Sequence, residues 1–273
     1  MSAIIEVRDG TPYWWDSPDI WVVSDNDPNG SPGQPVAGQP NFLWGQVRNT
    51  GDEPALGARV NFYWSNPVTG VLRSNSTLVG AAFVDLNPGE TKNVLCVVPW
   101  VPIVVNDGHE CVVVEVVYAG DPLPLPLPDS FDPPAYHQVA QKNLTVLLMN
   151  MTMMVLPIQV AAPRRQEKIA RLSLEIGGTL HKESLVRAGL ADYRPAKCEA
   201  PRAGLSLEGG CDSKQDVEKE LKVTLKPGTA RAVYLKLWPV DMPNRDYLLV
   251  RVIEHHGDRV DGGMTYVLIN KEG

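Results

Sequence analysis

Five histidines, four cysteines and one tract dense in aspartate and asparagine are the places where chemistry could reside in this 273-residue chain. The histidines His109, His137, His181, His255 and His256 are too dispersed for a metal motif, and the adjacent pair His255 and His256 would point to opposite faces of a strand. A serine nucleophile needs a sharp turn and an oriented base, yet no G-x-S-x-G occurs, nor a phosphate-cradling loop or dinucleotide fingerprint. The oxygen-rich tract holds Asp19, Asp25, Asn26, Asp27 and Asn29, hard ligands of the kind that bind calcium. Its spacing lacks the closing glutamate of an EF-hand loop. Asp19, Asp25 and Asp27 therefore stand as weak calcium candidates beside the alternative of turn residues that bond their own backbone. These residue types point to no catalysis and no cofactor.

Cys96 and Cys111 fall in consecutive strand candidates. A hairpin centred near Ile103 and Val104 would set them opposite each other within reach of a bridge, whereas in a reducing compartment both would be buried small hydrophobes. Cys198 and Cys211 bracket a Gly- and charge-rich loop where a disulfide is conceivable. None of the four has a partner at the spacing of a zinc knuckle.

Residues suited to binding are easier to find. Tyr13, Trp14 and Trp15 form an aromatic cluster that is either a lid over its own domain or an exposed anchor for a partner. Trp100 follows a strand end, and the proline-dense stretch 121–134 carries Leu123, Leu125, Leu127 and Phe131 on what reads as a projecting loop of polyproline character. Alternatively Trp14, Trp15, Trp21, Trp44 or Trp100 could stack on sugar rings.

The elements that must position these residues read as strands. In 58–65 the residues Ala58, Val60, Phe62 and Trp64 alternate with Arg59, Asn61, Tyr63 and Ser65, the period-2 pattern of a half-buried strand. Further strands are expected at 19–23, 77–84, 91–98, 109–119 and 138–148, with 109–119 so rich in valine that it should be buried on both faces. In the second half, strands are expected at 151–160, 168–176, 221–225, 230–237, 246–255 and 264–269, with a short helical turn at 215–222. Asn87-Pro88-Gly89-Glu90 and Lys226-Pro227-Gly228-Thr229 each precede a strand, a parallel that points to two related units. The 24 prolines and 23 glycines are spread without a fixed period and punctuate short segments. The expected fold class is all-β: two immunoglobulin-like antiparallel β-sandwich domains in tandem, 1–149 and 150–273.

The string VRNTGDEPALGARVNFYW, followed by LNPGE and a valine-rich strand, resembles the bacterial CARDB-like group of immunoglobulin-fold domains over about residues 18–148. The matching positions are Asn49, Thr50 and Gly51, then Ala55 and Ala58, then Pro88, Gly89 and Glu90. The resemblance implies a sandwich used as a spacer or as a module that binds protein or carbohydrate, and it carries no catalytic residue.

The net charge of -7 and pI near 5.3 argue against a nucleic-acid surface, which needs a basic stripe. The cluster Arg164, Arg165, Lys168 and Arg171 includes Glu167 and reads as a solvated linker or strand face. No stretch is apolar for long enough to insert in a membrane, and the first residues lack a secretory signal pattern. A cytoplasmic protein, or one exported without a cleaved signal peptide, is expected. The functional expectation is a non-catalytic protein-protein interaction module, an accessory, adaptor or immunity protein of a bacterial toxin-delivery or secretion system. The alternative is a carbohydrate-binding or adhesion-type module. An open sheet edge also leaves room for a homodimer.

Overall fold

A computed structural model describes residues 2–24, 26–66, 68–102, 111–149, 152–198, 200–210 and 217–270. The chain is all-β, and its described residues hold one short α-helix and one 3-10 turn, Arg73–Asn75. In the first half β1 (Ile5–Glu6), β2 (Ile20–Val23), β3 (Phe42–Asn49), β4 (Ala55–Ser65), β5 (Ser76–Leu86), β6 (Thr91–Leu95), β7 (Cys111–Val117) and β8 (Val139–Lys142) form two antiparallel sheets. Sheet I places β3 between β6 on one side and β1 with β2 on the other. Sheet II has the order β5-β4-β7-β8. Alternation decides which residues meet between them: Leu43 and Val47 from β3, Val60 and Phe62 from β4, and Val114 and Val116 from β7 are all buried in one apolar core. Gly45 fits there because a Cβ would meet Val114 and Phe62.

The second half repeats the two-sheet plan. It comprises β9 (Leu144–Met149), β10 (Met154–Ala161), β11 (Lys168–Ile176), α1 (Lys182–Arg187), β12 (Arg194–Pro195), β13 (Ala203–Ser206), β14 (Glu220–Leu225), β15 (Ala230–Leu237), β16 (Asp246–His256) and β17 (Arg259–Asn270). Sheet III has the order β10-β15-β13, and sheet IV the order β14-β11-β16-β17-β9, with β12 also on β16. Ile158, Leu172, Leu235, Val250 and Leu268 lie in the core shared by these sheets.

Several expectations change at this level. The run expected as one strand over 138–148 is split at Asn143. β8 pairs with β7, whereas β9 pairs in parallel with β17, so the strands on either side of Asn143 belong to different sheets. The helical turn expected at 215–222 falls partly outside the described residues, and its end is strand β14, whose partner β11 satisfies the backbone. The polar stretch 181–219 holds α1, β12 and β13, for which no apolar period was visible. Cys96 and Cys111 are buried cysteines not set opposite each other in a hairpin, because the chain leaves sheet I after β6 and enters sheet II at β7. The hairpin centre near 103–104, His109 and Cys211, the partner considered for Cys198, lie outside the described residues.

Candidate functional site: the seam between the two units

Polar and aromatic side chains from several segments converge between the two halves of the chain. The first segment, 8–17, leaves sheet I and carries the aromatic cluster inward. Trp15 is buried, its Nε1 donates to Thr265 Oγ1 at 3.1 Å, and the Thr265 hydroxyl donates to Asp16 Oδ2 at 2.6 Å. Tyr13 lies under the Arg251 guanidinium, 3.8 Å from ring centroid to Cζ, and its hydroxyl donates to Glu175. Trp14 packs edge-on against Trp15 at 5.6 Å. The cluster expected as a lid or anchor is therefore internal to the molecule.

Asn143 is the pivot of this seam. Its backbone N–H donates to Trp15 O at 2.8 Å, and its carbonyl accepts from Thr265 N at 3.0 Å. Its Nδ2 donates to Val68 O at 3.1 Å and Gly263 O at 2.7 Å, while Cys111 Sγ donates to its Oδ1 at 2.9 Å. One fully buried amide thus joins the first segment, the loop after β4, β7 and β17. The pair Gly262-Gly263 in β17 makes the approach feasible, since a Cβ at either position would collide with Thr69 O or with the Trp15 ring.

A second bonded cluster lies alongside. Glu254, fully buried, accepts from the Thr69 hydroxyl and pairs with Lys168 Nζ at 2.6 Å, and Lys168 also reaches Asp261 at 3.2 Å. Arg259 bridges back to Asp132 at 2.6 Å. Lys168 is accordingly a buried ion-pair partner and not part of a solvated basic face.

The third cluster surrounds Asp19. This calcium candidate is 0% exposed and is held by Arg8 at 2.7 Å, Arg48 at 3.0 Å and Arg187 at 3.4 Å. Three guanidinium groups occupy the oxygens that a cation would need. Asp25 lies outside the described residues, and Asp27 accepts from Asn29 N at 2.9 Å in its own turn. Among the described residues no group of three or more His, Cys, Asp or Glu side chains could hold a metal. Arg187 also stacks on Trp21 at 4.3 Å, and Trp21 lies parallel to Trp44 at 5.7 Å, so α1 covers the outer face of sheet I.

Electrostatics follows burial. Burial pushes the Asp16 carboxyl up to about 7, against the pull of Thr265, Arg251 and Lys142. Burial also brings Lys142 down to about 8, although Asp16 opposes the shift. Asp16 Oδ1 and Arg251 Nε make no hydrogen bond among the described residues, and both side chains line a cavity of about 340 Å³ with Tyr13, Gly178 and Ser184. A neighbouring cleft of about 510 Å³ is lined by Arg8, Asp9, His137, His181 and Glu183. In it Arg8 is engaged with Asp19 and Glu183, and His137 with Asp121 at 2.8 Å.

The remaining binding candidates separate into buried and exposed sets. Trp100 is buried in the core of the first unit. The proline-dense stretch is a strap laid over the outer face of sheet II, with Phe131 buried against Val71, Val113 and Val139 and Leu123 packed at the edge of that cluster. Arg73 sits 4.1 Å over the Phe131 ring and pairs with buried Glu115 at 2.6 Å. Asp121 fastens one end of the strap by accepting from Ile5 N at 2.9 Å and Gln138 Nε2 at 3.0 Å. Asp129 fastens the other, accepting from Ser74 N at 2.9 Å. The strap bends at Leu125-Pro126 and is not a straight polyproline segment. Leu125 is 88% exposed and Leu127 46%.

One contact was not visible in the sequence. Ser173 Oγ lies 3.0 Å from His255 Nε2, a serine-histidine hydrogen bond across β11 and β16. It sits on the flat of a sheet, and neither residue lines one of the cavities above. Strand register alone brings the two together, which is why no motif announced them.

No family model matches the chain, and no curated protein does. Among solved structures it is similar to a β-glucosidase from Kluyveromyces marxianus, with 22% identity, 45% of this chain and 14% of that one covered, and a TM-score of 0.23. It is similar to red sea bream transglutaminase, with 12% identity, 88% and 30% covered, and a TM-score of 0.24. It is also similar to the CupB6 tip adhesin from Pseudomonas aeruginosa, with 8% identity, 100% and 99% covered, and a TM-score of 0.27. The chain thus spans less than a third of the first two proteins.

Proposed function

We propose that the chain is a non-catalytic protein-binding module of the accessory, adaptor or immunity kind, in which two immunoglobulin-like sandwiches are locked together and present a clamped apolar loop tip to a partner. The observation that carries this reading is the division of its apolar side chains. The aromatic cluster is consumed in the seam, whereas Leu125 and Leu127 stand out from a strap fastened at both ends by Asp121 and Asp129. A fastened loop loses little conformational freedom on binding. Sugar recognition draws less support, since Trp14, Trp15, Trp21 and Trp100 are buried and form no open platform.

The immunoglobulin-like, CARDB-like architecture is supported by strand order. In the first unit β2, β3 and β6 face β5, β4, β7 and β8, the arrangement A-B-E against C′-C-F-G. In the second, β10 and β15 take the B and E places and β14, β11, β16 and β17 the C′-C-F-G places, with an insertion over 177–219 between C and C′. The Pro-Gly turns support the kinship of the two units. Gly89 and Gly228 have φ of 72° and 68°, and each donates at 2.9 Å to a carbonyl near its B strand, Asn49 O at the end of β3 and Pro163 O two residues beyond β10.

The test is affinity capture of the tagged chain from its own cells, comparing wild type with Leu125→Asp/Leu127→Asp. The reading expects a stoichiometric protein that the double variant fails to retain while its melting temperature stays unchanged. Retention of that protein by the variant, or binding confined to a glycan array, would overturn it.

A further inference from the structure

Among the described residues β5 is the long sheet edge least covered by other parts of the chain, met by Lys92 Nζ at Asp85 O, 2.7 Å, near its end. Proteins blunt such edges with short strands, lysine, proline or a covering segment. The other edges here carry those devices among the described residues. β6 is five residues with Lys92, β2 is bridged through Val22 to Gly33, and β8 is bridged through Lys142 to Asp16. β10 contains Pro157 and is bridged to Val68, β13 is bridged to Glu218, β14 carries Glu220 and Lys222, and β9 is met by Gln34 at Val146 N. β5 is 11 residues long and has no proline, lysine or arginine, its interruptions being a bulge at Val79 and the Lys92 contact at Asp85 O.

Its side chains are arranged for a copy of itself. Phe83 pairs with Arg59 and Leu78 with Tyr63 across β4, so both point to the outer face of sheet II, and they are 72% and 45% exposed. The five-residue separation of the two would put them on opposite faces of a regular strand. The irregularity between the Phe62 and Tyr63 pairings sets Val79 aside as a bulge and returns both to one face. A two-fold axis at Ala81 then sets Phe83 opposite Leu78 of the other copy twice over, and Gly80 opposite Ala82. The one charge on the strand, Asp85, meets Ser76, so no like charges face each other.

We propose that this chain forms a homodimer by antiparallel pairing of β5 with β5 of a second copy about a two-fold axis at Ala81, joining two sheets II into one continuous eight-stranded sheet. Such an isologous interface closes on itself by using the β5 edge of both copies, and the outer edges of the joined sheet are the two β8 strands, each bridged through Lys142 to Asp16. The pairing uses none of the strap-tip residues Leu125 and Leu127, so it stands whether or not that tip binds a partner.

Sedimentation velocity of the full chain up to about 100 μM tests it. The expected result is concentration-dependent dimer, shifted at least about tenfold toward monomer by Phe83→Lys, and recovered by Leu78→Glu/Phe83→Lys, which places opposite charges across the axis. Phe83 is exposed, so the fold is retained, and circular dichroism checks this. As an independent reading, Ala81→Cys is expected to form an interchain disulfide under mild oxidation, because cross-strand Cα atoms at the axis lie within bridging distance. A monomer throughout, or a dimer indifferent to Phe83→Lys and lacking the 81–81 cross-link, would overturn the proposal.

Discussion

At the scale of single residues, Asn143 and Asp16 carry the seam. Replacing Asn143 with Ala leaves Val68 O and Gly263 O without their buried donor, and the expected loss is about 2 to 4 kcal/mol in a urea titration. Asp16 makes a prediction whose sign depends on pH. Its carboxyl is held above its unfolded value by burial, so its ionisation costs the folded state nothing below about pH 4 and progressively more as pH rises toward 7. Lys142 stays charged over that window, since its own value lies near 8. The melting temperature of Asp16→Asn relative to wild type should therefore rise by a few degrees from pH 4 to pH 7. A constant difference across the window would remove Asp16 as an ionising member of the seam.

At the scale of elements, β7 and the strap set the limits of what the sequence revealed. The valine run of β7 was legible because continuous apolarity has few other readings, and Cys111 through Val116 are all buried. Val114→Asp should unfold the protein, as an unpaired charge would enter the core. The strap was misread for a physical reason. Proline density reports extended backbone, yet Phe131 and Leu123 within it are apolar anchors for a sheet face that alternation had already left uncovered, at Val113 and Val139. Phe131→Ala should cost about 3 to 5 kcal/mol, and removal of 121–134 should cost the fold, both measured by thermal melting. The α1 helix escaped notice because six residues are too few to display a period, whereas the Pro-Gly turns were visible from dipeptides that demand a positive φ.

At the scale of the molecule, the all-β class with its antiparallel sheets was legible, but the contacts between its two halves were not. The residues that join them, Trp15, Thr69, Asn143, Glu254 and Thr265, are scattered over the chain and share no spacing. One sign was present, the Gly262-Gly263 pair inside a strand, which marks a close approach of other backbone or a ring. Side-chain hydrogen bonds across the seam tie Trp15, Asp16, Thr69 and Asn143 to β16 and β17. Among the described residues no helix is long and apolar enough to cross a membrane. Differential scanning calorimetry of the intact chain at neutral pH tests the locked pair most directly. A single transition with equal calorimetric and van't Hoff enthalpies is predicted. Two separable transitions, one for each sandwich, would contradict it.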